Sequence, residues 1–359
     1  MRKTFPATMP AGLLAALVLL TGCATTSPIA TREALNQHVV RSDSYYQRYA
    51  TSRLEDRVYP ATQELIDYLL KDNAAEGFPN KPESAALAPE VVADIHAAIV
   101  GLPPAIQAMI TAKVAGIFVV KDLGGSAYTD IVYSSDAARK PLKGVVILDI
   151  SALNRKANEW LTWKESSPFK PEAPYSLQAR LEQPDLDTRS SAIQFILLHE
   201  FAHALSIGEN ATPLWGLNPT EVADPAKFPF FSQSWQVQLP VAPASRGKYV
   251  SRFDKQMPLR AKVLYYLPLK TTLLAGQSVE IYEKLAQTNF LTLYGATNPF
   301  DDFAEAFATY VHGVLLKRPY RITITKAGKT LLTFTPCWND RRCRSKREAL
   351  ERFIARAAR

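Results

Sequence analysis

The sequence predicts an α+β fold: a small mixed sheet, a long helix bearing a metal-binding pattern, and a helical N-terminal region. Two observations predict the sheet. Residues 114–121 and 144–150 are apolar runs of strand length, and Asp122-Leu123-Gly124-Gly125 is a turn after the first. A third predicts the helices: residues 91–100, 104–113 and 191–206 carry apolar side chains at helical spacing. No internal repeat is present.

Taken in order, Met1-Arg2-Lys3 is a basic start and Ala11–Leu20 an apolar stretch too short to cross a bilayer comfortably. With the small residues before Cys23, residues 1–22 read as an export signal. Residues 24–29 form a short tether. Residues 31–75 read as polar and helical, with Val58, Leu65, Leu69 and Leu70 as apolar positions. Residues 72–89, rich in Asn, Pro, Ala and Gly, read as a linker. This divides the chain into the signal, a tether and helical N-terminal region (23–88), a main domain (89–335) and a basic tail (336–359). In the main domain Thr188 or Ser190 can cap the long helix and Gly208 can end it. A helix over 279–286 follows within an aromatic- and proline-rich stretch, 210–298, that either lines a cleft or caps the fold. A last helix enters at Asn298-Pro299-Phe300-Asp301-Asp302-Phe303-Ala304-Glu305, with Asn298 or Asp301 as cap.

The net charge of +8 does not mark a nucleic-acid protein. Residues 340–359 hold eight Lys/Arg against three Asp/Glu, and Arg2 and Lys3 belong to the signal, so the body is close to neutral. The tail carries Ala349, Leu350, Phe353, Ile354 and Ala357 at helical spacing, a pattern suited to docking on the domain or to contact with anionic lipid. Of three cysteines, Cys337 and Cys343 are six apart and suit a local disulfide in an oxidising compartment.

The chemistry centres on His199-Glu200-Phe201-Ala202-His203. Residues four apart share a helix face, so His199 and His203 can grip one ion while Glu200 reaches a water on it. Zinc needs a third protein ligand. Glu305, among alanines on the last helix, can approach closely; Glu209, ten residues after His199, is the other candidate. Ser206 stands where the elongated pattern with a late third ligand requires glycine, so the spacing favours Glu305. An oxyanion donor is also needed; Tyr294, Tyr310 and His312 lie near Glu305 in sequence, and Tyr294, at a turn entering the helix, is the first choice. His38 and His96 are structural.

HEFAHAL, followed about a hundred residues later by NPFDDFAEAFA, resembles the gluzincin metallopeptidases, and more loosely the lethal-factor-like branch, over residues 90–320. The resemblance implies a zincin-like domain, one Zn2+ held by His199, His203 and Glu305, Glu200 as general base, and an edge strand within 120–132 beside a bound peptide. One departure stands out: the thermolysin pattern has an acid four residues after the third ligand, and counted from Glu305 that position is Thr309. Asp301 and Asp302 are the nearest substitutes for supporting a ligand histidine, or else complement the helix dipole. Leu20-Thr21-Gly22-Cys23 resembles the lipobox of bacterial lipoproteins, which implies cleavage before Cys23, lipidation of that residue, and, with Ala24 following, an outer-membrane lipoprotein facing the periplasm. The expected function is a lipid-anchored zinc endopeptidase acting on envelope proteins; a zinc amidase acting on peptidoglycan peptides and a non-catalytic scaffold lipoprotein are the alternatives.

Overall fold

The computed structural model describes residues 33–49, 53–222, 224–240 and 247–357. The signal, the tether and Cys23 lie outside the described residues. The fold is α+β with small sheets. Its main sheet runs, in spatial order, Val58–Pro60, Val114–Lys121, Pro141–Asp149 and Ala127–Tyr133, with Glu83–Ser84 pairing beside the second. The first three are mutually parallel and Ala127–Tyr133 is antiparallel at the edge. The central strands are apolar along their middles, Val114–Val120 and Gly144–Leu148, because both faces are covered there. Phe118, Val120, Val145 and Ile147 meet one cluster, while Ile117, Val119, Val146 and Leu148 meet the other.

The first cluster is built largely by residues 33–88. Tyr46, Leu65, Ile66, Tyr68 and Leu69 pack under the sheet, the last four from the helix Gln63–Glu76. Expected as an N-terminal region joined by a linker, this stretch instead supplies two strands and a helical layer to the main sheet. Val58, expected on a helix, pairs with Ile117. Its backbone donors and acceptors complete an edge that would otherwise stay open.

The opposite face carries the helices Pro89–Val100 and Pro104–Lys113, as expected, and the motif helix Arg189–Ser206. Thr188 caps the motif helix through the Ser191 amide at 3.1 Å, and Gly208 follows it in the left-handed region. The helix can lie directly on the sheet because Gly144 has no Cβ: one placed there would meet the Ala204 Cβ at 2.6 Å. Three smaller sheets, including the antiparallel Tyr175–Arg180, Arg321–Lys326 and Lys329–Phe334, complete the rest. The disulfide Cys337–Cys343 is formed. It leads into the tail helix Arg344–Ala357, docked through Ala349, Leu350 and Phe353. Among the described residues no single helix is long and apolar enough to cross a membrane.

Candidate metal centre

The motif helix is buried on nearly all sides from Ala192 to Ser206, with His203 half-buried. Against it packs the acidic helix Pro299–Thr309, whose Ala304, Ala306 and Ala308 are fully buried. Small side chains there allow close approach of the two helices. Gly295, in the turn ahead, keeps the backbone near the same helix: a Cβ on it would meet the Glu305 Cβ at 3.3 Å.

Three donor atoms converge between these helices. His199 Nε2 and His203 Nε2 are 3.2 Å apart, and Asp301 Oδ1 lies 3.4 Å from each. These three residues form a group able to hold a metal ion. The Asp301 carboxylate is aimed by its other oxygen, which accepts from Asn298 Nδ2 at 2.5 Å. Asn298 also caps the helix through the Phe300 and Asp301 amides, so one residue sets both where the helix starts and where its carboxylate points.

Glu305, the expected third ligand, stands elsewhere. Its Oε1 is 3.0 Å from His199 Nδ1, the nitrogen facing away from the convergence point, and accepts from Lys164 Nζ at 2.7 Å. A donation from Nδ1 to Glu305 leaves the Nε2 lone pair free. The convergence point therefore holds Asp301 where Glu305 was expected, because Asp301 sits one helical turn earlier and its shorter side chain reaches Nε2. Counted from Asp301, the acid four residues on is Glu305. Glu209 is away from the site, on Lys113 at 3.1 Å. Asp302 is paired with Lys346 of the tail helix at 2.7 Å and accepts from Trp235 Nε1 at 3.0 Å.

The electrostatics follow from burial and neighbours. Burial alone would disfavour the His199 imidazolium, but Asp301 and Glu305 outweigh it and raise the pKa to about 9 in the metal-free protein. Burial likewise opposes ionisation of Glu305, yet Lys164 and His199 bring it down to about 2. Asp301 is held well below the usual carboxylate range, burial being overcome by the two imidazoles. Lys164 is itself buried and lies 3.8 Å from Glu165, a carboxylate surrounded by the hydroxyls of Tyr265, Tyr282 and Tyr320.

Glu200 lines a small cavity of about 30 Å³ together with Ser126, Lys164, His199, Tyr266, Tyr294 and Glu305. Thr129, on the edge strand Ala127–Tyr133, donates to Glu200 Oε2 at 2.6 Å. Tyr294 is at the site: its ring is 5.4 Å from that of His199 and lies under Lys164 Nζ at 4.5 Å. Burial, then Asp301, pushes its phenol well above the ordinary value, so it stays protonated. Tyr266 shares the cavity and is pushed up by burial in the same way. His312 stands away from the site: buried, it donates its Nε2 hydrogen to the Leu181 and Pro319 carbonyls, 2.8 and 3.0 Å away. Tyr310 bonds Glu351 of the tail helix.

Sequence reasoning did not single out Lys164, Thr129 or Tyr266 for the site. Nothing local distinguishes them, since each arrives from a different element. Asp301 carried a signal, its four-residue spacing to Glu305, that was assigned in the reverse order. No family model, curated protein or solved structure matches the chain.

Proposed function

We propose that the chain is a zinc-dependent hydrolase of peptide bonds, with His199, His203 and Asp301 as the protein ligands. One observation carries this reading. A face of a tetrahedral zinc site with bonds of about 2.0–2.1 Å has edges of roughly 3.3 Å, and the three donors stand 3.2, 3.4 and 3.4 Å apart. Two neutral imidazoles and one carboxylate are also a donor set that catalytic zinc sites use, leaving room for a water. The buried Glu305 Oε2 has no protein partner, and Glu305 is among the residues lining the small cavity beside Glu200.

When bound, zinc in such a site supplies Lewis acidity toward a water and a carbonyl oxygen. The chain's own groups do the rest. His199 keeps its Nδ1 proton on Glu305, so Nε2 remains a ligand. Glu200, oriented by Thr129, takes a proton from the attacking water and delivers it to the leaving amine. The cavity of about 30 Å³ is the space of a single water. Tyr294 donates its phenolic hydrogen to the developing oxyanion; Tyr266 is placed to share that task. The zincin-like assignment rests on this helix pair with an antiparallel edge strand beside it, and the envelope location rests on the signal-like N-terminus and Cys23.

The test is direct. The purified full chain is expected to carry about one zinc and to cleave casein or envelope-derived peptides. Glu200→Gln is expected to retain the metal and lose cleavage by 10²-fold or more, within the range of general-base catalysis. Cleavage by Glu200→Gln at the wild-type rate overturns the mechanism.

A further inference from the structure

Beside the small catalytic cavity lies a much larger one, of about 730 Å³. The two are separated by shared structure. Tyr266 lines both. Its ring is 5.3 Å from Trp163, which lines only the larger cavity, and 6.2 Å from Tyr294, which lines only the smaller. The chain also crosses the boundary between Gly125, on the large side, and Ser126, on the small side, immediately before the edge strand begins at Ala127. The helix Ala157–Ser166 does the same, presenting Trp160 and Lys164 to one cavity and Trp163 and Ser166 to the other.

The lining chemistry is apolar, with Trp163, Phe169, Tyr266 and Leu267 as its large side chains. The acids there are already engaged. Asp122 accepts from the Lys81 amide and Asp149 from the Leu123 amide, while Arg155 stacks over Trp163 at 4.7 Å. Apart from Lys270, the charged groups of the lining are thus engaged, and its surface is mostly apolar. Leu269, another lining residue, is 97% exposed, and none of the described residues covers it. Tyr266 holds its place with a φ of +60°, a conformation that bulky side chains rarely adopt, and its amide donates to Ser167 Oγ at 3.3 Å.

We propose that this cavity is the specificity pocket of the hydrolase, taking a bulky apolar or aromatic side chain of a polypeptide whose neighbouring peptide bond lies over Glu200. Tyr266 is its dividing wall and Leu269 its lip. The inference rests on the hydrolase reading for the position of the scissile bond. The occupant is a peptide and not a free acyl chain because the pocket opens at the start of the edge strand, where a backbone can pair.

The test compares two peptides that differ only in one residue, Phe or Ala, beside the cleaved bond, using the full chain with zinc. For the wild type, kcat/KM is expected to favour the Phe peptide by about tenfold or more, the scale at which filling an apolar pocket discriminates. Ala152→Phe, which fills the pocket, and Leu269→Asp, which places a charge at its exposed lip, are each expected to reduce that ratio about tenfold or more. Leu269→Asp guards against a folding defect, since its side chain packs on nothing. A second arm measures binding of the Phe peptide to Glu200→Gln by fluorescence anisotropy, with and without Leu269→Asp. Tighter binding of the Phe than of the Ala peptide, weakened by Leu269→Asp, supports the pocket even if the wild type cleaves neither; the hydrolase reading then fails alone. A ratio unchanged in both variants while cleavage proceeds overturns the pocket and leaves the hydrolase standing. Binding of a fatty acid but of neither peptide also overturns it.

Discussion

Asp301 and Glu305 occupy the same face of one helix, a turn apart, and their roles follow from length and aim. The shorter side chain, tethered by Asn298, meets the Nε2 atoms; the longer one passes behind and holds Nδ1. Asp301→Ala is therefore expected to lower zinc affinity by more than Glu305→Gln, the latter by about 10–100-fold, the usual effect of losing a partner that orients a ligand. A competition titration with a chromophoric chelator reads both, and equal losses would refute the ordering. The sequence already showed the two acids, the histidines and Glu200. What it hid was which nitrogen each acid would face, because a periodicity places residues on a face and says nothing of ring orientation. His312 gives a second prediction at this scale. Burial, only partly offset by two carbonyls, lowers its pKa from 6.5 to about 4. A depressed pKa means the unfolded chain protonates first as pH falls, so this contribution is complete above pH 6.5 and is lost between 6.5 and 4. The linkage amounts to about 3 kcal/mol. Urea titrations should show His312→Gln costing less stability at pH 4 than at pH 7.

Among the elements, the motif helix depends on a flat landing site. Gly144→Val would drive a side chain into Ala204 and force the helix off the strand, with an expected loss of about 1–3 kcal/mol and a parallel loss of the Thr129–Glu200 hydrogen bond. Chemical denaturation together with peptidase assay would detect both. The two central strands and the helices at 91–113 were legible because their apolar patterns are continuous and long. The edge strand Ala127–Tyr133 was harder to read, as its mixed sequence owes its form to pairing with Pro141–Asp149. The short strand Val58–Pro60 resembled a helical segment for the same reason: three residues carry no period, and only the partner strand fixes them.

For the whole molecule, the described residues before Pro89, 33–49 and 53–88, are inseparable from the sheet. A chain beginning at Pro89 would leave Phe118, Val120 and Ile147 facing water and is expected to lack a cooperative thermal transition in calorimetry; a sharp one would show that 89–335 folds alone. The sequence suggested a boundary there because Asn, Pro and Gly cluster over 72–89, yet those residues finish a helix, add the short strand Glu83–Ser84 to the main sheet and place Ala85 in the core. At the other end, the pair Lys346–Asp302 is fully buried. Lys346→Ala should cost roughly 3–5 kcal/mol by stranding the carboxylate, and Lys346→Met much less when paired with Asp302→Leu.

That buried pair also imposes an order of events. Asp302 adjoins Asp301, and its cation lies 44 residues further along the chain. As the polypeptide emerges from N to C terminus, both histidines and both acids are present well before Lys346. Until then the first turn of the acidic helix carries an unneutralised carboxylate that burial disfavours, and it stays hydrated and loose. Full closure of this corner of the candidate metal site therefore awaits the arrival of the tail helix, which supplies the cation that Asp302 needs once it is buried.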